Sequence, residues 1–325
     1  MYHNINNKRS VEEICYEEEH IDKILKEIRV NISHYFSKYV KTEAGRLITQ
    51  EEVKKLSNLF GSSEKPTSKN KDIEKVLKLI VDEAVIEYKS DEMIYKNILN
   101  LEALAEYELD VPSFKNKVLH DQIPIIRKTL RNRLAEKLDK YRKAFKNAQP
   151  GDLFQVVKNI IEQAEEWHSE WYDTIDFEKI TTCEELGYHD LDDLGYPSVI
   201  GGGIKSHFIY KLYPEMYPNR SREAIWSLYY LSDKKTFGCK EESEFLMIDK
   251  QKGITQQNYF YPYALFSFYA LQIFLELKKL NVYYISMESN YRFIAVDSFL
   301  SFVAWEHRQE IELLTENPND ADYEY

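Results

Sequence analysis

The 325-residue chain has 43% apolar and 30% charged residues and a formal net charge of −12. This composition excludes wholesale disorder, and ten glycines with nine prolines exclude collagen-like and turn-dense all-β architectures. The sequence therefore predicts a mainly α protein, with a helical N-terminal region and a compact, aromatic-rich helical C-terminal domain that carries one small β-hairpin.

Periodic apolar residues predict most of the individual elements. In the first half they predict helices over residues 21–39, 76–88, 91–107 and 124–145, with a capping box at 49–52. In the second half they predict helices over residues 152–167, 203–213, 220–231, 262–279 and 290–316. Hairpin strands are predicted at 245–248 and 254–260.

Charge and aromatic content divide the chain in two. Residues 1–150 contain 28 Lys+Arg against 25 Asp+Glu, whereas residues 151–325 contain 15 against 30. We interpret residues 1–150 as a charged, extended helical domain with a polar linker at 61–70. Residues 151–325 are interpreted as an acidic, aromatic-rich helical domain that ends in a frayed acidic tail at 317–325.

The cysteines and the uncharged stretches indicate where the protein resides. Cys15, Cys183 and Cys239 lie far apart and form no CxxC pair, which is typical of a reducing compartment. The N-terminus lacks the apolar core of a signal peptide. The uncharged stretch 253–275 contains Pro262 and several tyrosines, so we interpret it as a core helix. We expect a cytoplasmic protein without membrane contact.

Two Glu-x-x-His pairs, Glu17/His20 and Glu165/His168, have the ligand spacing of helical di-iron sites. With 37 glutamates and eight histidines in the chain, about one such pair arises by chance. We therefore expect no metal and no cofactor.

Arg29 and His34 enclose four residues on a predicted helix. This spacing resembles the Arg-x4-His motif of HEPN ribonucleases, although the polar residue that usually follows the arginine is Val30 here. The resemblance covers six residues and implies a helical dimer in which the arginine and histidine face an RNA phosphate. A metal-independent ribonuclease that uses Arg29 and His34 is therefore one alternative function.

The stretch from Lys115 to Lys146 is strongly basic, with 11 Lys+Arg against three Asp+Glu. A long cationic helix of this kind binds the phosphate backbone of a nucleic acid, or it faces the acidic half of its own chain. The residues predicted to contact nucleic acid are Arg127, Lys128, Arg131, Arg133, Lys137 and Lys140.

A second basic cluster lies between Gly201 and Arg222, inside the acidic half. Two predicted helices begin there, and helix N-termini attract anions. The residues predicted to bind an anionic ligand are Gly201, Gly202, Gly203, Lys205, Ser206, Arg220, Ser221 and Arg222. His207 is a further candidate for acid–base chemistry, although a packed histidine is the favoured interpretation.

These patterns favour a soluble intracellular protein that binds nucleic acid or a phosphorylated small molecule. A defence or regulatory setting is a hypothesis that no residue pattern supports. The ribonuclease is one alternative. The other is a helical assembly subunit without catalytic activity, which forms homo-oligomers through its N-terminal helices.

Overall fold

The computed structural model describes residues 8–47, 70–132, 138–188, 191–249, 253–280 and 289–315. The predicted capping box at 49–52, nearly all of the linker at 61–70, the tail at 317–325, Arg133 and Lys137 lie outside the described residues. The fold is mainly α with a single two-stranded sheet in the described part of the chain, which confirms the predicted fold class.

The first half of the chain contributes a series of helices. They are α1 Val11–Ile14, α2 Glu18–Leu47, α3 Asn70–Ile98, α4 Leu101–Ala105, α5 Val111–Ser113, a π-helical stretch Phe114–Gln122, α6 Pro124–Arg131 and α7 Asp139–Asn147. The apolar stripe of α2 is buried from Ile21 to Val40, as its spacing predicts.

Two predicted helix boundaries in this half are wrong. A helix over 91–107 was expected, but α3 continues to Ile98, and Asn100 starts α4 by accepting a hydrogen bond from the Ala103 amide (2.9 Å). The basic helix predicted over 124–145 is also interrupted. Helix α6 ends at Arg131. The next residue, Asn132, has a ψ of 78°, outside the helical region, and its carbonyl accepts a hydrogen bond from Arg142 (2.8 Å).

The second half supplies the remaining elements. They are α8 Pro150–Trp171, a 3₁₀ turn Glu184–Leu186, α9 Gly202–Leu212, α10 Arg222–Leu231, β1 Leu246–Asp249, β2 Ile254–Gln257, α11 Tyr263–Leu280, a 3₁₀ turn Ser289–Tyr291, α12 Arg292–Glu306 and α13 Arg308–Thr315. The strands pair antiparallel with Leu246 opposite Gln257, so the predicted hairpin is confirmed.

Helix α11 is buried on nearly every side from Tyr263 to Phe274, as expected for the core helix. No helix in the described ranges has the length and apolarity that a bilayer crossing requires. The prediction of a single helix over 290–316 is wrong, because α12 ends before His307 and a separate helix, α13, begins after it. The His307 ring stacks on Tyr230 at 3.7 Å and lies 2.7 Å from the Tyr35 hydroxyl, and these contacts fix the break.

Buried side chains from both compositional halves pack in one hydrophobic core. Helix α2 packs on α11, and α3 packs on α9 and α12. The Tyr39 ring of α2 meets Phe299 of α12 edge-on at 5.7 Å. The division into domains at residue 150 stays a prediction, and the structure packs α3 of the first half directly on α9, where the rings of Tyr95 and His207 meet edge-on at 5.3 Å.

Candidate ligand-binding site

The predicted anion cluster at Gly201–Arg222 is divided between two sides of α9. Lys205 and Arg220 are almost fully buried. The Lys205 ammonium donates to the carbonyl of Leu191 and to that of Asp192 (3.3 Å). Burial lowers the pKa of Lys205 to about 8. This lysine therefore holds the segment before α9 in place.

Arg220 has a comparable bridging role. Its Nη2 donates to the carbonyl oxygens of Asn258 (2.6 Å) and Tyr259 (3.1 Å), and its own amide donates to Ser206 Oγ (3.1 Å). The guanidinium lies against Gly202 at the start of α9, where a Cβ atom would come within 2.6 Å of Nη1. Arg220 therefore joins the end of the hairpin to the two helix starts.

Lys205 and Arg220 lie beside a cavity of about 400 Å³, here called the Arg220 cavity, which Gly201 and Gly202 also line. Asp192 and Asp193 face the same space. The Asp192 carboxylate accepts hydrogen bonds from the Tyr263 amide at 2.8 and 3.0 Å, so it caps α11. The cavity combines buried cations with carboxylates. Lys205, Arg220 and Asp192 already form hydrogen bonds with backbone groups of the protein.

The other half of the predicted cluster lies elsewhere. Gly203, Ser221 and Arg222 line a second cavity of about 400 Å³, here called the α6–α10 cavity. His207 and Lys128 line it as well, so this space joins residues from both basic regions that the sequence singled out. The structure thus brings together five of the predicted residues from three chain segments.

The polar groups that line the α6–α10 cavity differ in their burial and in their hydrogen-bond partners. Ser221 caps α10 by accepting a hydrogen bond from the Ala224 amide (3.1 Å), so the positive end of the helix dipole lies at the cavity. Arg222 is half-buried and donates to Thr315 Oγ1 (3.3 Å). Lys128 is exposed, and no carboxylate among the residues that the structure describes forms an ion pair with it. Glu223 is the acidic member of the lining.

A larger cavity of about 690 Å³, here called the Asp297 cavity, adjoins the α6–α10 cavity. Lys128, His207 and Asn219 line both spaces. Asn219 Nδ2 donates to Asp297 Oδ1 (3.1 Å), which places the carboxylate of α12 next to the segment before α10. The remaining lining is rich in hydroxyl and carboxylate groups, including Ser90, Ser298, Ser301, Glu87 and Asp91.

The environment shifts the pKa values of Asp297 and His207 in opposite directions. Burial raises the pKa of Asp297 to about 7, and hydrogen bonding from Asn219 opposes this shift. Burial lowers the pKa of His207 to about 4, and the charge of Lys211 acts in the same direction. At neutral pH the imidazole is uncharged, and Asp297 is able both to donate and to accept a proton.

Lys211 is a buried cation that lines the Asp297 cavity. Its ammonium lies 2.7 Å from Asp91 Oδ1, donates to the Tyr88 carbonyl (2.9 Å) and lies 4.5 Å from the centre of the Tyr88 ring. Only 7% of its side chain is exposed, so the cation is paired inside the protein. Lys211 therefore balances the acidic side of the Asp297 cavity.

The other predicted nucleic-acid contacts are arranged along a broken segment. Arg131 pairs with Asp121 Oδ1 (3.2 Å), and Arg127 donates to the Asp121 carbonyl (3.3 Å). Lys140 is exposed on α7. The acidic partners found in this segment are local and do not belong to the acidic half of the chain.

Arg29 and His34 do not meet within the chain. Because the two residues are five positions apart on an α-helix, their side chains point about 140° apart around the helix axis. Arg29 pairs with Glu276 of α11 (3.2 Å), while His34 is exposed and its ring contacts Tyr35. The ribonuclease alternative therefore depends on a second copy of the chain and stays a prediction.

Asp297 and Asn219 are the site residues that sequence reasoning missed. Asp297 is the only charged residue between Arg292 and Trp305, in a helix whose other members are mostly apolar. A lone carboxylate in such a helix is an informative signal, because burying an uncompensated charge is costly.

Compared with models of known families, with characterised proteins and with solved structures, the chain gives no match.

Proposed function

We propose that this protein binds a phosphorylated small molecule across the α6–α10 and Asp297 cavities. The observation that carries the proposal is the convergence of Lys128, Ser221, Arg222 and His207 on one concave space. These residues come from three separate segments, and together they provide two cations, a hydroxyl group and a ring nitrogen.

The phosphate is assigned to the α6–α10 cavity. A helix N-terminus, an arginine and a lysine are the groups that proteins use most often to bind phosphate. The uncharged His207 supplies a hydrogen-bond donor or acceptor without adding positive charge. Glu223 limits the net charge of the space, which favours a single phosphate group over a polyphosphate chain.

The rest of the ligand is assigned to the Asp297 cavity. Its hydroxyl and carboxylate groups suit a partner with several hydroxyl or amino groups, such as a sugar or a nucleoside. Volumes of about 400 and 690 Å³ lie within the usual range for small-molecule sites. Because Lys128, His207 and Asn219 face both spaces, one ligand can contact all three.

A small molecule is favoured over a nucleic acid by the shape of the surface. The basic segment is broken after Arg131, so its cations do not follow one straight helix. Arg127 and Arg131 also bond to Asp121. Nucleic-acid binding is nevertheless a distinct outcome of the experiment below.

The test is a thermal-shift screen of the purified full-length chain against paired compounds that differ only by a phosphate group. The set includes nucleoside monophosphates with their nucleosides and sugar phosphates with their sugars. We expect at least one phosphorylated member to raise Tm while its unphosphorylated partner does not. No shift with any member, combined with tight binding of single-stranded or duplex oligonucleotides, would contradict the proposal.

A further inference from the structure

We infer that His20, Cys239 and Glu244 form a zinc site in the core, separate from the cavities described above. His20 Nε2 lies 2.8 Å from Glu244 Oε2, and Cys239 Sγ lies 3.4 Å from the same oxygen. All three side chains are buried, and their ligand atoms lie within 4.8 Å of one another.

The donor set fits zinc better than other common metals. Imidazole, thiolate and carboxylate are the three ligand types that Zn²⁺ accepts in tetrahedral sites, whereas Mg²⁺ and Ca²⁺ prefer oxygen alone. Zinc bonds of about 2.0–2.3 Å place neighbouring ligand atoms roughly 3.3–3.6 Å apart. The Cys239–Glu244 separation of 3.4 Å already lies in this range, and the His20–Glu244 contact of 2.8 Å reaches it by opening about half an ångström.

Charge balance supports the same assignment. One Zn²⁺ ion with a thiolate, a carboxylate and a neutral imidazole carries no net charge, so the core contains no uncompensated ion. A bound zinc ion holds the Cys239 sulfur as a thiolate.

A hydrogen bond already orients the Glu244 carboxylate. The Tyr261 hydroxyl donates to Glu244 Oε1 (2.9 Å), which leaves Oε2 directed at His20 and Cys239. Metal ligands in proteins are oriented by hydrogen bonds of this kind.

The site joins distant parts of the chain. His20 lies in the first turn of α2, whereas Cys239 and Glu244 belong to the loop before β1. The same two regions already touch, because Val11 donates to Glu241 Oε2 (3.0 Å) and Lys240 donates to the Arg9 carbonyl (3.0 Å). The zinc ion therefore links the first turn of α2 to the loop before β1.

The experiment measures metal in the full-length protein after expression in zinc-supplemented medium and purification without chelators. Inductively coupled plasma mass spectrometry is expected to find about one zinc per chain. Cys239→Ser is expected to lower that content at least about fivefold, while Cys183→Ser, which changes a buried cysteine outside the cluster, leaves it unchanged.

A second measurement covers the case in which Cys239→Ser does not fold. Cobalt(II) is added to metal-free wild-type protein, and a thiolate-to-cobalt charge-transfer band with tetrahedral ligand-field bands supports the site. A zinc-free wild-type protein that also gives no cobalt–thiolate band overturns the proposal. Equal zinc loss in Cys183→Ser and Cys239→Ser overturns it as well.

Discussion

The Nη1 atom of Arg220 lies so close to the backbone of Gly202 that a Cβ atom at position 202 would come within 2.6 Å of it. Arg220 has little room to move, because Nη2 is bonded to the carbonyls of Asn258 and Tyr259. Gly202 is therefore required for this contact and not for an unusual backbone angle.

Gly202→Ala is expected to destabilise the protein by about 1–3 kcal/mol, since overpacking forces the guanidinium away from its acceptors. Gly151→Ala is the matched control, because a Cβ atom there meets nothing within 4 Å. Alanine favours the helix at that position, so the control is expected to be neutral or stabilising by up to about 1 kcal/mol. Urea unfolding measures both, and equal effects would contradict the packing explanation.

Asp297 and His207 are expected to give the free energy of unfolding opposite pH dependences. Burial raises the pKa of Asp297 from 3.8 to about 7, so the folded state holds a proton that the unfolded chain releases. Its contribution to stability therefore falls as pH rises from about 4 to about 7. Burial lowers the pKa of His207 from 6.5 to about 4, so its contribution is lost as pH falls through that range.

Single substitutions separate the two effects. The stability of Asp297→Asn relative to wild type is expected to increase with pH between about 4 and 7. The stability of His207→Asn relative to wild type is expected to decrease as pH rises from about 4 to 6.5. Urea unfolding at pH steps across this window measures both differences. Parallel trends in the two variants would show that one of the assignments is wrong.

Lys211→Met is expected to destabilise the fold by about 3–5 kcal/mol, because it leaves Asp91 and the Tyr88 carbonyl without their buried cation. The matched control is Lys179→Met, whose side chain is 84% exposed and pairs with Asp176 at 2.7 Å. The control is expected to change stability by less than about 1 kcal/mol. Similar losses in chemical unfolding would show that burial does not distinguish the two pairs.

Much of the secondary structure is predictable from sequence because it follows from local patterns. The apolar stripe of α2 has a helical period, the hairpin strands flank a turn that contains Gly253, and the long uncharged stretch of α11 fits a buried helix. The helix breaks are not predictable in this way, since distant groups decide them. Arg142 bonds the carbonyl where α6 ends, and His307 stacks on Tyr230 where α12 ends.

The candidate site is predictable in part for the same reason. Ser221 and Arg222 are identified by a local signal, a capped helix start that carries positive charge. Their convergence with Lys128 in the α6–α10 cavity depends on tertiary packing that sequence spacing does not encode. Arg220 shows the reverse case, because a cation that looks available in sequence is bonded to backbone carbonyls in the fold.

The most direct test of ligand binding compares two lysines of the same basic region. Lys128 lines the α6–α10 cavity, whereas Lys143 is exposed on α7 and does not line it. Calorimetric titration with the phosphorylated compound that raises Tm most is carried out on wild type, Lys128→Gln and Lys143→Gln. Both substitutions remove one positive charge, so long-range electrostatics changes similarly in each.

We expect Lys128→Gln to raise Kd about tenfold or more, in line with the loss of one charged hydrogen bond of about 1.5–3 kcal/mol. Lys143→Gln is expected to leave Kd within about twofold of wild type, because a distant exposed charge is screened. Equal weakening by both substitutions, or none by Lys128→Gln, would contradict phosphate binding in the α6–α10 cavity.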